Sequence, residues 1–207
     1  KDIMSLFPEN QVEKIAVWYP TFRQHKTVAI NATANALPII HDETQAQKLN
    51  EIAKQNKVLI VLKPHFAQDV SRIKACNLSN IKFIDDSFFA ENQISSYQFI
   101  AACDALITDY SSVYYDYLLC DKPIALVWED YEEYRKTTDF AVDMDYYMKG
   151  GEKVYNLADF ESFLKNLSSG NDRLKAERKE ICEWANFSND AKNAIRVTDF
   201  IIKKAEL

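Results

Sequence analysis

A doubly wound α/β domain, with helices on both faces of a parallel sheet, is the fold this sequence predicts, and three observations predict it. Short runs of Ile, Val, Leu and Ala recur without polar alternation, as strands buried on both faces require. Segments of helical periodicity lie between these runs, and alternation of β and α implies a parallel sheet covered by helices. No internal repeat and no linker interrupts the 207 residues, a length suited to one large domain. Hydrophobic residues make up 47% of the chain and charged residues 27%, enough apolar material for a core of that size.

In chain order, strands are expected at 15–19, 58–62, 81–84, 105–108 and 124–128. The first helix is expected over 42–56. Asp42 is its N-cap candidate, and Ala46, Leu49, Ile52 and Ala53 share one face. Helical patterns follow at 93–103 and 112–120, where Cys103 and Cys120 read as small core residues. The tail carries three more, from 157 to about 167, 172–184 and 189–205, separated first by the loop Ser168-Ser169-Gly170-Asn171. The C-terminal helices, about 157–206, are expected to pack on the single 1–207 domain. The last places Ala194, Val197, Ile201 and Ile202 on one face, to meet either the sheet or a further domain.

Composition also excludes several functions. A formal net charge of -6 argues against coating nucleic acid, which needs a cationic face. Three glycines cannot build a Walker A loop or a GxGxxG fingerprint, so phosphate binding must use other means. The four cysteines, Cys76, Cys103, Cys120 and Cys182, form no CxxC pair and no zinc pattern, which implies a reducing, cytoplasmic setting. No apolar run approaches the length of a membrane span. The chain opens on Lys1 rather than Met, as a piece of a longer protein would.

Polar groups gather where the strands end. After the first, Tyr19-Pro20-Thr21-Phe22-Arg23 delivers Thr21 and Arg23 to the carboxyl edge, where open α/β sheets bind ligands. An Arg fork there suits an anionic oxygen, although an ordinary surface Arg after a turn has the same spacing. After the second, Lys63-Pro64-His65 offers a point charge and a group that titrates or donates near neutrality. After the fourth, the stretch Thr108-Asp109-Tyr110-Ser111-Ser112 sets Asp109, Ser111 and Ser112 before a helix. One of Asp109, Ser111 and Ser112 suffices as a cap, and unpaired N–H groups at a helix start also suit an anion. After the fifth, Glu129, Asp130, Glu132 and Glu133 fit either ribose hydroxyls or the solvated face of a short helix. Anion-binding groups at three strand ends of one sheet suit a nucleotide diphosphate.

The stretches YPTFR, KPH, ITDYSSVYYDYLLCDKPI and EDYEEYR resemble, in that order, the C-terminal half of the CDP-glycerol glycerophosphotransferases, which build teichoic acids and related polyol-phosphate polymers. The most specific part is TDYSS, an aromatic-rich helix start, Asp116 and then DKP. The resemblance runs from about residue 15 to 163, more faintly to the end, where Arg196 falls on the family's final helix. It implies the C-terminal, Rossmann-like half of a GT-B enzyme that holds CDP-glycerol or CDP-ribitol and needs no metal or cofactor. His65 matches the catalytic histidine of that half. Thr108, Asp109, Ser111 and Ser112 match the loop that grips the donor pyrophosphate. Arg23 and Lys63 match positions that add positive charge, and Asp116 is the candidate ribose or cytidine contact. The implied partners are an N-terminal domain of the same chain and a lipid-linked or polymer acceptor, at the inner face of a bacterial membrane. Two other functions fit the fold: a GT-B glycosyltransferase using a nucleotide sugar, and a non-catalytic interaction domain.

Overall fold

The computed structural model describes residues 2–9, 11–21, 37–65, 68–137 and 140–205. Its elements, after a 3₁₀ turn at Ile3–Leu6, run in the order β1 (Lys14–Trp18), α1 (Glu43–Gln55), β2 (Val58–Leu62), α2 (Ser71–Lys74), β3 (Ile81–Phe83), α3 (Asp86–Glu91), α4 (Ser96–Ala102), β4 (Ala105–Thr108), α5 (Val113–Tyr117), β5 (Ile124–Val127), α6 (Tyr131–Thr137), α7 (Met144–Tyr147), β6 (Glu152–Val154), α8 (Leu157–Ser169), α9 (Lys175–Ala185) and α10 (Asn193–Ala205). The six strands are all parallel, in the order β3-β2-β1-β4-β5-β6. Strand order reverses between β1 and β4, and ligands of such sheets bind outside the carboxyl ends at that crevice.

Burial explains why these runs become strands. Ala16 and Trp18 face one apolar layer with Ala46, Leu49 and Ala53 of α1 and Phe160, Phe163 and Leu164 of α8. Ile15 and Val17, on the opposite face, join Phe99 of α4, Tyr114 and Tyr117 of α5 and Ile181 of α9. The four central strands, β2, β1, β4 and β5, are therefore apolar on both faces. Helix ends follow local chemistry: Asp42 and Asn156 accept N–H groups at the starts of α1 and α8, Ser95 and Gln98 form a capping box on α4, and Gly170 closes α8 at φ 72°. Cys103 is buried and Cys120 half-buried.

Three expectations need correction. A sixth strand, β6, pairs with β5 at the sheet edge, but its Glu152-Lys153-Val154 supplies no apolar run. The helix expected over 112–120 is shorter, because α5 tightens into a 3₁₀ turn at Leu118–Cys120 and stops at Asp121 with φ 49°. Finally, α8 and α9 bury side chains against the domain but α10 buries none. Ile195, Val197, Phe200, Ile201 and Ile202 are all exposed, so amphipathicity here finds no partner among the described residues.

Arg178 of α9 is buried and forms a two-pronged ion pair with Asp172, within 3.8 Å of Asp121. Its stem lies against Gly150, whose N–H donates to the Tyr114 hydroxyl. A Cβ on Gly150 would stand 2.7 Å from Arg178 Cγ and 2.9 Å from both its Cα and the Tyr114 oxygen. Gly150→Ala should therefore cost roughly 1–3 kcal/mol through overpacking. Thermal unfolding reads this as a lower Tm, and an unchanged Tm would mean that α9 shifts freely.

Candidate functional site

The exits of β1 and β4 are tied together at the switch point. The Asp109 carboxylate has no exposed surface and accepts the Thr21 N–H at 2.9 and 3.1 Å, the Thr21 hydroxyl, and the Tyr110 N–H at 2.7 Å. Thr108, equally buried, donates its hydroxyl to the Tyr19 carbonyl at 2.9 Å. A buried carboxylate is tolerated when donors replace its water, and backbone N–H groups do so well. The side chains of Thr108 and Asp109 thus both turn inward to β1 and hold the loop's shape.

Beyond β2, the Lys63 backbone N–H donates to the Trp18 carbonyl at 2.9 Å, which fixes where its side chain starts. Its ammonium lies 3.1 Å from Asp86 of α3 and 5.9 Å from the centre of the Tyr19 ring. Tyr19 in turn shares a 3.0 Å hydrogen bond with Ser96 at the start of α4. Burial pushes the Tyr19 phenol up to about 12, so it acts as a neutral hydrogen-bonding group. His65 is half-buried two residues further on, and its carbonyl accepts the Gln68 N–H.

The two serines behave unequally. Ser111 accepts the Val113 N–H at a long 3.4 Å, while Ser112, at the N-cap position of α5, makes no side-chain cap bond. Among the described residues nothing accepts the backbone N–H groups of Ser111 and Ser112. The expected cap is therefore weak, and donors remain at the loop's outer surface. Asp116, exposed on α5, accepts the Tyr97 hydroxyl at 3.2 Å, and the nearby carboxylate raises the Tyr97 phenol above its ordinary value.

Glu129, beyond β5, carries out a role that its spacing did not reveal. One oxygen accepts the Ile39 N–H at 2.7 Å and the other meets His41 Nε2 at 2.8 Å. Ile39 sits at φ 69°, a strained backbone for a β-branched residue, and this bond helps hold it there. The neighbouring Asp130 accepts the Tyr110 hydroxyl at 2.9 Å, and Tyr110 stacks on Tyr134 with ring centres 4.3 Å apart. The aromatic wealth of this region is spent on self-packing. Arg23 lies outside the described residues, and among those described no cluster of three or more His, Cys, Asp or Glu could hold a metal ion.

With that geometry in view, comparison with known proteins is decisive. The model of the CDP-glycerol:poly(glycerophosphate) glycerophosphotransferase family matches residues 3–203. The chain belongs to this family. Among its relatives is a teichoic acid ribitol-phosphate primase of Bacillus spizizenii, 29% identical over 119 residues, which are 56% of this chain and 30% of the relative. A structure of the wall teichoic acid polymerase TagF superposes with a TM-score of 0.66 at 20% identity, covering 99% of this chain and 47% of that one. A TagF variant soaked with CDPG gives 0.62 at 23% identity, with 99% and 46% covered. The chain thus has the Rossmann-like fold of these enzymes and spans less than a third of the curated primase. No helix among the described residues is long and apolar enough to cross a membrane.

Two outcomes follow for this fold. Thr21→Val removes a hydroxyl donor from buried Asp109 at nearly constant shape and should cost roughly 1–3 kcal/mol, read by chemical denaturation. His41 is raised above its ordinary value chiefly by its hydrogen bond to Glu129. Its contribution is therefore complete below the unfolded value near 6.5 and is lost as pH rises through the higher folded value. The Tm gap between the wild-type chain and His41→Gln should be wider at pH 6 than at pH 9, and an equal gap would remove His41 from the turn's stability.

Proposed function

We propose that this chain is the donor-binding half of a CDP-polyol phosphotransferase acting in the synthesis of teichoic acid or a related polymer. The observation that carries the reading is the family match over residues 3–203, and it is supported by the TDYSS segment following β4 and by Lys63 and His65 following β2, the two strands that flank β1. The TagF variant soaked with CDPG and the ribitol-phosphate primase support a CDP-activated polyol as donor. Glycerol and ribitol both remain donors to test.

In the reaction, a terminal hydroxyl oxygen of the acceptor forms a bond to the β-phosphorus of the CDP-polyol. The bond from that phosphorus to the bridging oxygen breaks, and CMP leaves with the electron pair. Such transfers depend on positioning and charge neutralisation more than on covalent help. Lys63 and Arg23 supply positive charge, and the N–H groups and hydroxyls of Ser111 and Ser112 take phosphate oxygens. His65 donates to a phosphate oxygen or to the departing one. Asp116 contacts the ribose or cytidine, while Asp109 and Thr108 act from beneath the loop. The base that accepts the hydroxyl proton belongs to an N-terminal domain of the longer enzyme, which meets a lipid-linked or polymer acceptor at the inner membrane face. No metal or cofactor enters this scheme.

Calorimetric titration with CDP-glycerol, CDP-ribitol, UDP-GlcNAc and CMP tests the reading. A CDP-polyol should bind more tightly than UDP-GlcNAc. His65→Ala and the pair Ser111→Ala, Ser112→Ala should each weaken binding by about tenfold or more, since hydrogen bonds to charged groups are each worth about 1.5–3 kcal/mol. A folded chain that takes up no CDP-polyol at millimolar concentration would overturn it, and preference for the uridine nucleotide would favour a glycosyltransferase.

A further inference from the structure

We propose that Asp86 is the resting counter-ion of Lys63 and the group that a donor phosphate must displace, so that it sets donor affinity by competition. The inference rests on the reading of Lys63 as a phosphate contact. The two members of the pair are unlike. The Lys63 side chain is 20% exposed, anchored by its backbone bond to Trp18 and laid over the Tyr19 ring, whereas the Asp86 side chain is 87% exposed and stands at the first position of α3. Lysine is thus the fixed partner and aspartate the movable one. Tyr19 cannot drift to release the lysine, because Ser96 holds its hydroxyl.

The adjacent acid clarifies the role. Asp85 commits one oxygen to the Ser87 N–H at 3.0 Å and to the Ser87 hydroxyl at 2.7 Å, and so caps α3. Asp86 is not needed for that cap. Its carboxylate instead keeps the Lys63 ammonium paired and oriented while the site is empty. An exposed ion pair of this kind is weak. A pyrophosphate brings more negative charge and more acceptor oxygens to the same ammonium, and therefore wins the exchange.

Competition predicts a gain of affinity when the competitor is neutralised. Asp86→Asn should bind CDP-glycerol about two- to fivefold more tightly than the wild-type chain at low salt. Asp85→Asn makes the same change in net charge, retains a good cap residue, and should leave affinity nearly unchanged. In a Lys63→Met background the Asp86→Asn effect should vanish, with Lys63→Gln as a second background if the methionine variant does not fold. Equal or weaker binding by Asp86→Asn would overturn the inference. So would an equal gain in Asp85→Asn, or a gain that survives loss of the lysine. If the wild-type chain bound no CDP-glycerol, the reading of the site would fail, and this inference with it. Binding by the wild type with no response to Asp86→Asn would sink the inference alone.

Discussion

A carboxylate without exposed surface needs donors in place of water, and Asp109 draws its donors from the far side of the switch point. The chain crosses 88 residues between Thr21 and Asp109, yet the two loops are fastened by the Thr21 backbone N–H and hydroxyl, and the N–H of Tyr110 adds a donor from the same loop as Asp109. The sheet itself supplies the distance, because β1 and β4 pair side by side. The hydrogen bonds then supply the orientation. With Asp109 satisfied from below, the Ser111 and Ser112 N–H groups stay on the outer surface, and the TDYSS segment divides into an inward half that shapes and an outward half that offers donors.

That division is how a chain with three glycines would present the proposed phosphate site. Glycine loops bring backbone close to a ligand by omitting side chains. Here the same crevice is surrounded by side chains that are themselves held in place: Lys63 by Trp18 and Tyr19, Tyr19 by Ser96, and the turn at Ile39 by Glu129. Rigidity comes from cross-element hydrogen bonds rather than from a tight backbone loop. Strain at Ile39 is tolerated because a carboxylate from another strand end meets its N–H.

Much of this architecture was legible in the residues. β1, β2, β4 and β5 are continuous apolar runs because both their faces are covered, and the order of strand ends announced where polar groups would collect. β6 was not legible, since an edge strand of three residues can use Glu152 and Lys153 and leave no apolar signal. At the site, the residue types were readable but their directions were not. Whether Asp109 points at a ligand or at Thr21, and whether Lys63 meets Asp86, are decided by contacts across 23 to 88 residues of chain, which spacing does not encode. Glu129 shows the same limit: its acid character suggested ribose or solvent, but its partners lie 88 and 90 residues away. The α10 pattern is amphipathic in sequence and in structure, while the surface that its apolar side would meet does not follow from periodicity.

The apolar side of α10 has a thermodynamic consequence for this chain. Ile195, Val197, Phe200, Ile201 and Ile202 meet water in the folded state, so the helix gains little from the burial that holds α8 in place. Any surface that covers this flank does so only once the helix has formed, and by mass action it pulls the folding equilibrium towards the native form. Stability measured at one end of the chain is then not a constant of the sequence. It becomes a function of how much of the covering surface is present.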